Sequence, residues 1–314
     1  MTKAIVFPGQ GSQMVGMGKE LFDTFSVARD VFQEVDDVLD QKLSTLMFEG
    51  PLEELTLTQN TQPALMAVSL AVVRVLEKEG NISMGSFQMA AGHSLGEYSA
   101  LAATGALSVS DAARLLRIRG DAMQRAVPVG KGAMVAVLGA DMDTLEKIMD
   151  EARSEGICVI ANDNSNGQVV LSGEKTALDL VPEIAKNHGV RKCVPLPVSA
   201  PFHCPLIQPA AEAMEKAFET ASFKDPIIPI VPNVTATLES NGNAFKSLLV
   251  QQVTGQVRWR ETMDLMVKEG IVTVYELGVG KVLSGLFKRG VEGVATQAVH
   301  TPHDIENFLE NFTA

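Results

Sequence analysis

A serine between two glycines, Gly92-His93-Ser94-Leu95-Gly96, has the residue types and spacing of a nucleophile. Apolar residues from Phe87 to Ala91 precede it and helix formers from Glu97 to Ala103 follow it, a context that predicts a strand, a sharp turn and a helix. Such a turn lifts the serine side chain clear of the backbone, and the glycines let neighbouring main chain pass close by. The helix start adds oriented N–H groups and a positive dipole end. A hydroxyl held there can attack a carbonyl carbon, and the N–H of Leu95 can hold the oxyanion that forms.

A serine nucleophile needs a base, and histidine is the usual one. His93 adjoins Ser94, but chain neighbours across a tight turn point apart. His188 ends a predicted helix. His300 and His303 lie near the C-terminus, where serine hydrolases of α/β type often carry their histidine. His203 lies in the proline-punctuated stretch Pro197 to Pro205, a rigid segment well suited to aiming a ring. Spacing alone leaves His203 and the pair His300/His303 open.

Arg119 is the second clue. The segment Ser110 to Arg125 reads as an amphipathic helix with Ser110 as N-cap. Arg114, Arg117, Asp121 and Arg125 fall on its polar face, but Arg119 projects from the apolar stripe of Leu115, Leu116 and Met123. A buried guanidinium needs an anion. Either a core carboxylate pairs with it, or it grips a substrate carboxylate with its planar fork. The two cases differ in whether a protein carboxylate touches the guanidinium.

The rest of the 314 residues must position these groups. With 46% hydrophobic and 20% charged residues the chain can bury a sizeable core. Acidic residues outnumber basic ones by 38 to 26, and the net charge of −12 argues against general nucleic-acid binding. Cys158, Cys193 and Cys204 form no C-x-x-C pair, which suits reduced thiols in a cytoplasm. The apolar run after Met1 is too short for a signal-peptide core, and no uninterrupted apolar run is long enough to span a bilayer. The expected setting is cytoplasmic, away from any membrane.

Ala4 to Phe7 reads as a buried strand, followed by the Gly-rich loop Pro8 to Gln13. That loop is not a dinucleotide fingerprint, because Met14 stands where the third glycine belongs. Helical patterns cover Phe25–Leu39 and Gln62–Glu79. Beyond the linker-like Pro128 to Gly132, strands at 133–138, 158–162, 168–172 and 191–196 alternate with helices at 141–152 and 174–188. That β-α-β-β-α-β order is that of a ferredoxin-like unit. Further strands are expected at Ile227–Pro232 and Val272–Glu276. The expected fold class is α/β: an α/β-hydrolase-like core from residues 1–128 and 198–314, with a ferredoxin-like small subdomain, 129–197, inserted.

These residues together resemble the malonyl-CoA:acyl carrier protein transacylases almost end to end. The markers are Phe7-Pro8-Gly9-Gln10-Gly11-Ser12-Gln13, Gly92 to Tyr98, Arg119-Gly120, Phe202-His203 and the segment Gln252 to Trp259. The resemblance implies that Ser94 is acylated, that His203 is its base, and that Arg119 binds the malonyl carboxylate. It places the oxyanion hole at the main-chain N–H groups of Gln10 and Leu95. His203 would be steadied by main-chain carbonyls near Gln252 rather than by an acidic residue. Gln13, Met123, Asn162, Ser199 and Phe202 are expected around the substrate pocket, Phe202 being the bulky residue of malonyl-selective members. The implied reaction is a ping-pong transfer of malonyl from coenzyme A to the phosphopantetheine thiol of acyl carrier protein, with no metal or redox cofactor. The implied partners are the coenzyme A thioester and the acidic carrier protein, which Arg191, Lys192, Lys288 and Arg289 could meet. The protein is expected to be a monomer. The main rival is a thioesterase or esterase of α/β-hydrolase type, which would share Ser94 and Leu95 but use water as acceptor and usually place an Asp or Glu behind its histidine.

Overall fold

Nine strands lie in two sheets in the computed structural model, which describes residues 2–198 and 200–312: β1 (Lys3–Phe7), β2 (Met89–Gly92), β3 (Gly132–Leu138), β4 (Cys158–Ser165), β5 (Gln168–Glu174), β6 (Lys192–Pro195), β7 (Ile230–Val231), β8 (Thr273–Leu277) and β9 (Ala295–Val299). The larger sheet is parallel throughout, in the order β7-β2-β1-β8-β9. Every residue of β1 and β2 is buried, and apart from Lys3 these strands are apolar runs without alternation, as parallel strands covered on both faces must be. Phe7 pairs with Gly92, so β1 and β2 end level. The loop carrying Gln10 and the turn carrying Ser94 therefore emerge side by side at the carboxyl edge of the sheet, where open parallel sheets bind ligands. The last strand, β9, escapes the sequence reading because Ala-Thr-Gln-Ala-Val has no apolar run. It sits at the sheet edge with only Val299 fully buried.

Two helices behind the sheet depart from the sequence expectation. The first runs Thr58–Glu79 and starts a turn before the apolar pattern does. Thr58, Asn60, Thr61 and Gln62 are buried polar residues, invisible to apolar periodicity, and find partners inside; Asn60 and Thr61, for example, donate to the carbonyls of Glu54 and Leu55. The second runs Val109–Ala126, and its cap is Ser108, not Ser110. Ser108 Oγ accepts from the N–H of Asp111, while Ser110 turns outward to Glu34. The two helices pack closely because Gly120 has no side chain: a Cβ there would stand 2.5 Å from Gln59 Cα. This contact sets Arg119 beside Gln62.

The smaller sheet is antiparallel, in the order β4-β5-β3-β6, covered by the Met142–Ala152 and Lys175–Asn187 helices. It has its own apolar cluster, including Val135, Leu145, Ile148, Leu171, Leu178 and Val181. Strand β4 runs further than its apolar pattern and bulges at its far end. There it joins the larger unit: Val257 donates to Ala161 O at 2.8 Å, Asp163 donates to Val257 O at 3.0 Å, and Arg260 pairs with buried Asp163 at 2.8 Å. These bonds hold Asn162 at the junction. No helix among the described residues is long and apolar enough to cross a membrane, and the three cysteines are unpaired.

Candidate active site

Ser94 has φ +53°, a left-handed conformation that costs a residue with a side chain roughly 1–2 kcal/mol. The turn that imposes it is tight. A Cβ on Gly92 would stand 1.9 Å from the carbonyl carbon of Gly96, and one on Gly96 would stand 2.3 Å from Phe7 O. The two glycines thus allow the turn to close against itself and against β1.

Ser94 Oγ lies 2.8 Å from His203 Nε2. His203 Nδ1 faces two carbonyl oxygens, Gln252 O at 2.9 Å and Gly255 O at 3.1 Å. Carbonyls only accept, so the ring hydrogen sits on Nδ1, and the bare Nε2 accepts from the serine hydroxyl. Burial, reinforced by the Arg119 charge, pulls the His203 pKa down to about 3, so the ring is neutral and its Nε2 lone pair is free to accept the serine hydrogen bond. No carboxylate among the described residues bonds to the imidazole; two carbonyls fix its tautomer. The other candidates are occupied elsewhere. His300 pairs with Asp304, His303 with Glu306 and His188 with Glu151, and none lines the cavity at Ser94. His93 borders the cavity too, but its Nε2 is engaged 2.8 Å from Asn164 Oδ1 on β4.

Arg119 is 1% exposed. Its Nη1 donates to Gln62 Oε1 at 2.7 Å, and its Nη2 donates to Gln252 Oε1 at 2.9 Å and to Ser94 Oγ at 3.1 Å. All three partners are neutral, and Nε has none among the described residues. Glu97 influences the guanidinium across Gln252 but does not bond to it. Of the two cases left open by the helical pattern, the site has the one without a carboxylate in contact.

A cavity of about 270 Å³ opens beside Ser94. Gln10, Gln13, Asn162, Phe202 and His203 line it, with Met134 and Leu196 supplying an apolar wall. Arg119 reaches this space only through its contact with Ser94. Met123 does not line it: the side chain is buried behind, with its sulfur 3.6 Å from Gln62 Nε2. Ser199 lies outside the described residues. The main-chain N–H groups of Gln10 and Leu95 donate to no other protein group among the described residues. Gln252 touches everything at once: its Nε2 donates to Ser94 O at 3.0 Å and Glu97 Oε2 at 2.8 Å, its Oε1 accepts from Arg119, and its main-chain O accepts from His203.

Sequence reasoning missed Gln62, Glu97 and Asn233. Glu97 is fully buried in the first turn of the helix after Ser94, and burial raises its carboxyl pKa to about 7 against the lowering effect of its bonds to Asn233 and Gln252. The signal was a charged residue inside an otherwise apolar helix, the same signal that picked out Arg119.

Comparison with known proteins shows what the whole chain is similar to. The family model described as acyl transferase domain matches residues 4–313. The malonyl CoA-acyl carrier protein transacylase of Bacillus subtilis (strain 168) is 44% identical over 304 residues, covering 96% of this chain and 95% of the relative. The Escherichia coli (strain K12) protein of the same name is 40% identical over 98% of both chains. Among solved structures, acyl-carrier-protein-S-malonyltransferase from Bartonella henselae superposes with a TM-score of 0.96 at 52% identity, covering 99% of each chain. A malonyl-transacylase in complex with a type II PKS acyl-carrier protein superposes with a TM-score of 0.95 at 40% identity, covering 99% of this chain and 100% of that one. A family model matching nearly the whole chain and relatives of this identity and coverage settle the kinship: the chain belongs to the acyl transferase domain family, among the malonyl CoA-acyl carrier protein transacylases.

Proposed function

We propose that the protein transfers malonyl from malonyl-CoA to the phosphopantetheine thiol of acyl carrier protein through a malonyl ester on Ser94, supplying fatty acid synthesis. The observation that carries this reading is the position of Ser94 Oγ, in simultaneous reach of His203 Nε2 and Arg119 Nη2. His203 takes the hydroxyl proton as Oγ attacks the thioester carbonyl. The oxyanion forms against the free N–H groups of Gln10 and Leu95. The C–S bond then breaks, and the thiol of coenzyme A leaves with the proton from His203. In the second half the carrier-protein thiol gives its proton to His203, attacks the ester, and Ser94 recovers its hydrogen. Each half exchanges one acyl bond for another with no net oxidation, so the chemistry calls for no metal or redox cofactor.

Arg119 fits the malonyl carboxylate. Its unpartnered Nε and the Nη2 that now bonds to Ser94 form one edge of the guanidinium, the edge a carboxylate meets with two parallel bonds. The parallel order β7-β2-β1-β8-β9 with Ser94 after β2 supports an α/β-hydrolase-like core, 1–128 and 198–314. The separate apolar cluster and the strand order β4-β5-β3-β6 support a ferredoxin-like unit, 129–197. Exposed Arg191, Lys192, Lys288 and Arg289 are candidates for meeting an acidic carrier protein. Three unpaired thiols suit a cytoplasmic enzyme, and we assign it as a monomer.

Intact-protein mass spectrometry tests the reading. Malonyl-CoA should add one malonyl group, mapped to Ser94, that persists until a thiol acceptor is supplied; Ser94→Ala should take up none. Rapid release as free malonate would make the protein a hydrolase instead.

A further inference from the structure

We infer that Asn233 is a positioning residue of the acyl-transfer reaction: its side-chain amide replaces a missing strand partner and holds Ser94 in its strained conformation. Strand β7 pairs with β2 for only two residues, Ala90 with Ile230 and Ala91 with Val231. The next residue of that strand is Pro232, which has no N–H to continue a ladder. Gly92 and Ser94 would then present a buried carbonyl and a partly buried N–H with nothing opposite. The Asn233 carboxamide supplies both halves of the lost pairing. Its Oδ1 accepts from Ser94 N–H at 2.7 Å, and its Nδ2 donates to Gly92 O at 2.7 Å. Only one orientation of the amide can satisfy a donor and an acceptor in those places, so its direction is fixed by the partners.

Asn233 is itself held on every side. It is fully buried, its N–H donates to Glu97 Oε2 at 2.9 Å, and its carbonyl accepts from Arg258 N–H at 3.0 Å. Glu97 Oε2 also receives Gln252 Nε2, which donates to Ser94 O. The serine is therefore gripped at its N–H by Asn233 and at its C=O by Gln252, and one carboxylate oxygen anchors both amides. Ser94 φ +53° persists because these bonds outweigh its steric penalty. Neither amide touches the reacting carbon; their effect on the reaction passes through the direction of Oγ toward His203.

This inference rests on Ser94 being the nucleophile, and the test separates the two. The rate of Ser94 labelling is measured by quenched-flow and intact-mass detection for wild type and Asn233→Ala, with malonyl-CoA and acetyl-CoA. Rates are expressed per natively folded molecule, counted from near-UV circular dichroism. Loss of a buried hydrogen-bond partner at the nucleophile should slow both substrates by the same factor, on the order of 10- to 100-fold. A group that binds the malonyl carboxylate would change their ratio, and a group that only stabilises the fold would change the folded fraction alone. Wild type unlabelled at Ser94 would overturn the nucleophile reading. Wild type labelled, with Asn233→Ala labelled at the same rate per folded molecule or with an altered malonyl-to-acetyl ratio, would overturn the positioning role. Should Asn233→Ala not fold, Asn233→Asp answers instead. Its protonated acid can again donate to Gly92 O, so its labelling rate relative to wild type should climb as pH falls from 8 to 5; a constant ratio overturns the inference.

Discussion

Arg119 and Ser94 are in direct contact, Nη2 donating to Oγ at 3.1 Å. The residue that would bind the far end of the acyl group thus touches the atom that would attack its near end. A three-carbon diacid on Ser94 brings its free carboxylate back toward a guanidinium whose hydrogen-bond partners among the described residues are all neutral. Arg119→Ala should therefore lower the second-order labelling rate with malonyl-CoA by about 10- to 100-fold, the worth of charged hydrogen bonds in a buried site. Acetyl-CoA, with no carboxylate, should lose much less. An equal loss on both substrates would make Arg119 structural.

The pH dependence of stability has a sign that follows from two buried groups. His203 falls from 6.5 to about 3 on folding, so its contribution is complete above pH 6.5 and is lost as pH falls toward 3. Glu97 rises from 4.5 to about 7, so its contribution is complete below pH 4.5 and is lost as pH rises through 7. Between pH 4.5 and 6.5 the two slopes oppose each other. Glu97→Gln keeps acceptor geometry but removes one slope. In urea titrations its stability should climb with pH across this window relative to wild type, by up to about 1.4 kcal/mol per pH unit. Parallel curves for the two proteins would place the Glu97 carboxyl at its ordinary value.

Gly96→Ala tests the tight turn. The new methyl meets Phe7 O at 2.3 Å, a main-chain atom of the central strand that cannot move aside. We expect a loss of roughly 3 kcal/mol, read as a lower denaturant midpoint, together with loss of Ser94 labelling as Leu95 N–H is displaced. Gly105→Ala is the control: it has a positive φ, +78°, which Gly96 lacks, but open space around it, so its cost should stay near the roughly 1–2 kcal/mol of left-handed backbone. Similar losses for both would mean the turn relaxes around the methyl.

Phe202 lines the cavity next to His203 and is 9% exposed. Phe202→Ser should raise the rate with methylmalonyl-CoA relative to malonyl-CoA, within the roughly 10- to 200-fold that one methyl can decide. An unchanged ratio in a competition assay would remove Phe202 from the account of selectivity.

What the sequence revealed and what it hid divide along physical lines. Ser94 stood out because a glycine-flanked turn has a local signature, and Arg119 because a charge on an apolar stripe breaks a local period. The choice among histidines did not follow from spacing, because nothing near His203 in the chain records that Gln252 and Gly255, about fifty residues on, supply its carbonyl partners. Asn233 was hidden for a related reason: its task is set by where β7 stops pairing with β2, a property of two segments more than a hundred residues apart. Strand β9 and the polar first turn of the Thr58–Glu79 helix were missed because each lacks the apolar pattern that local reading depends on. The mistaken cap at Ser110 was a choice between two serines two positions apart, decided by which one reaches the Asp111 N–H.

The order in which the ribosome makes this chain bears on when it becomes reactive. Ser94 emerges well over a hundred residues ahead of its partners: the carbonyls that orient the imidazole beside it belong to residues 252 and 255, and its amide anchor to residue 233. Strand β8, which pairs with the very first strand, comes later still. A nascent chain therefore carries the Ser94 hydroxyl without its oriented imidazole until residues 252–277 have followed it out.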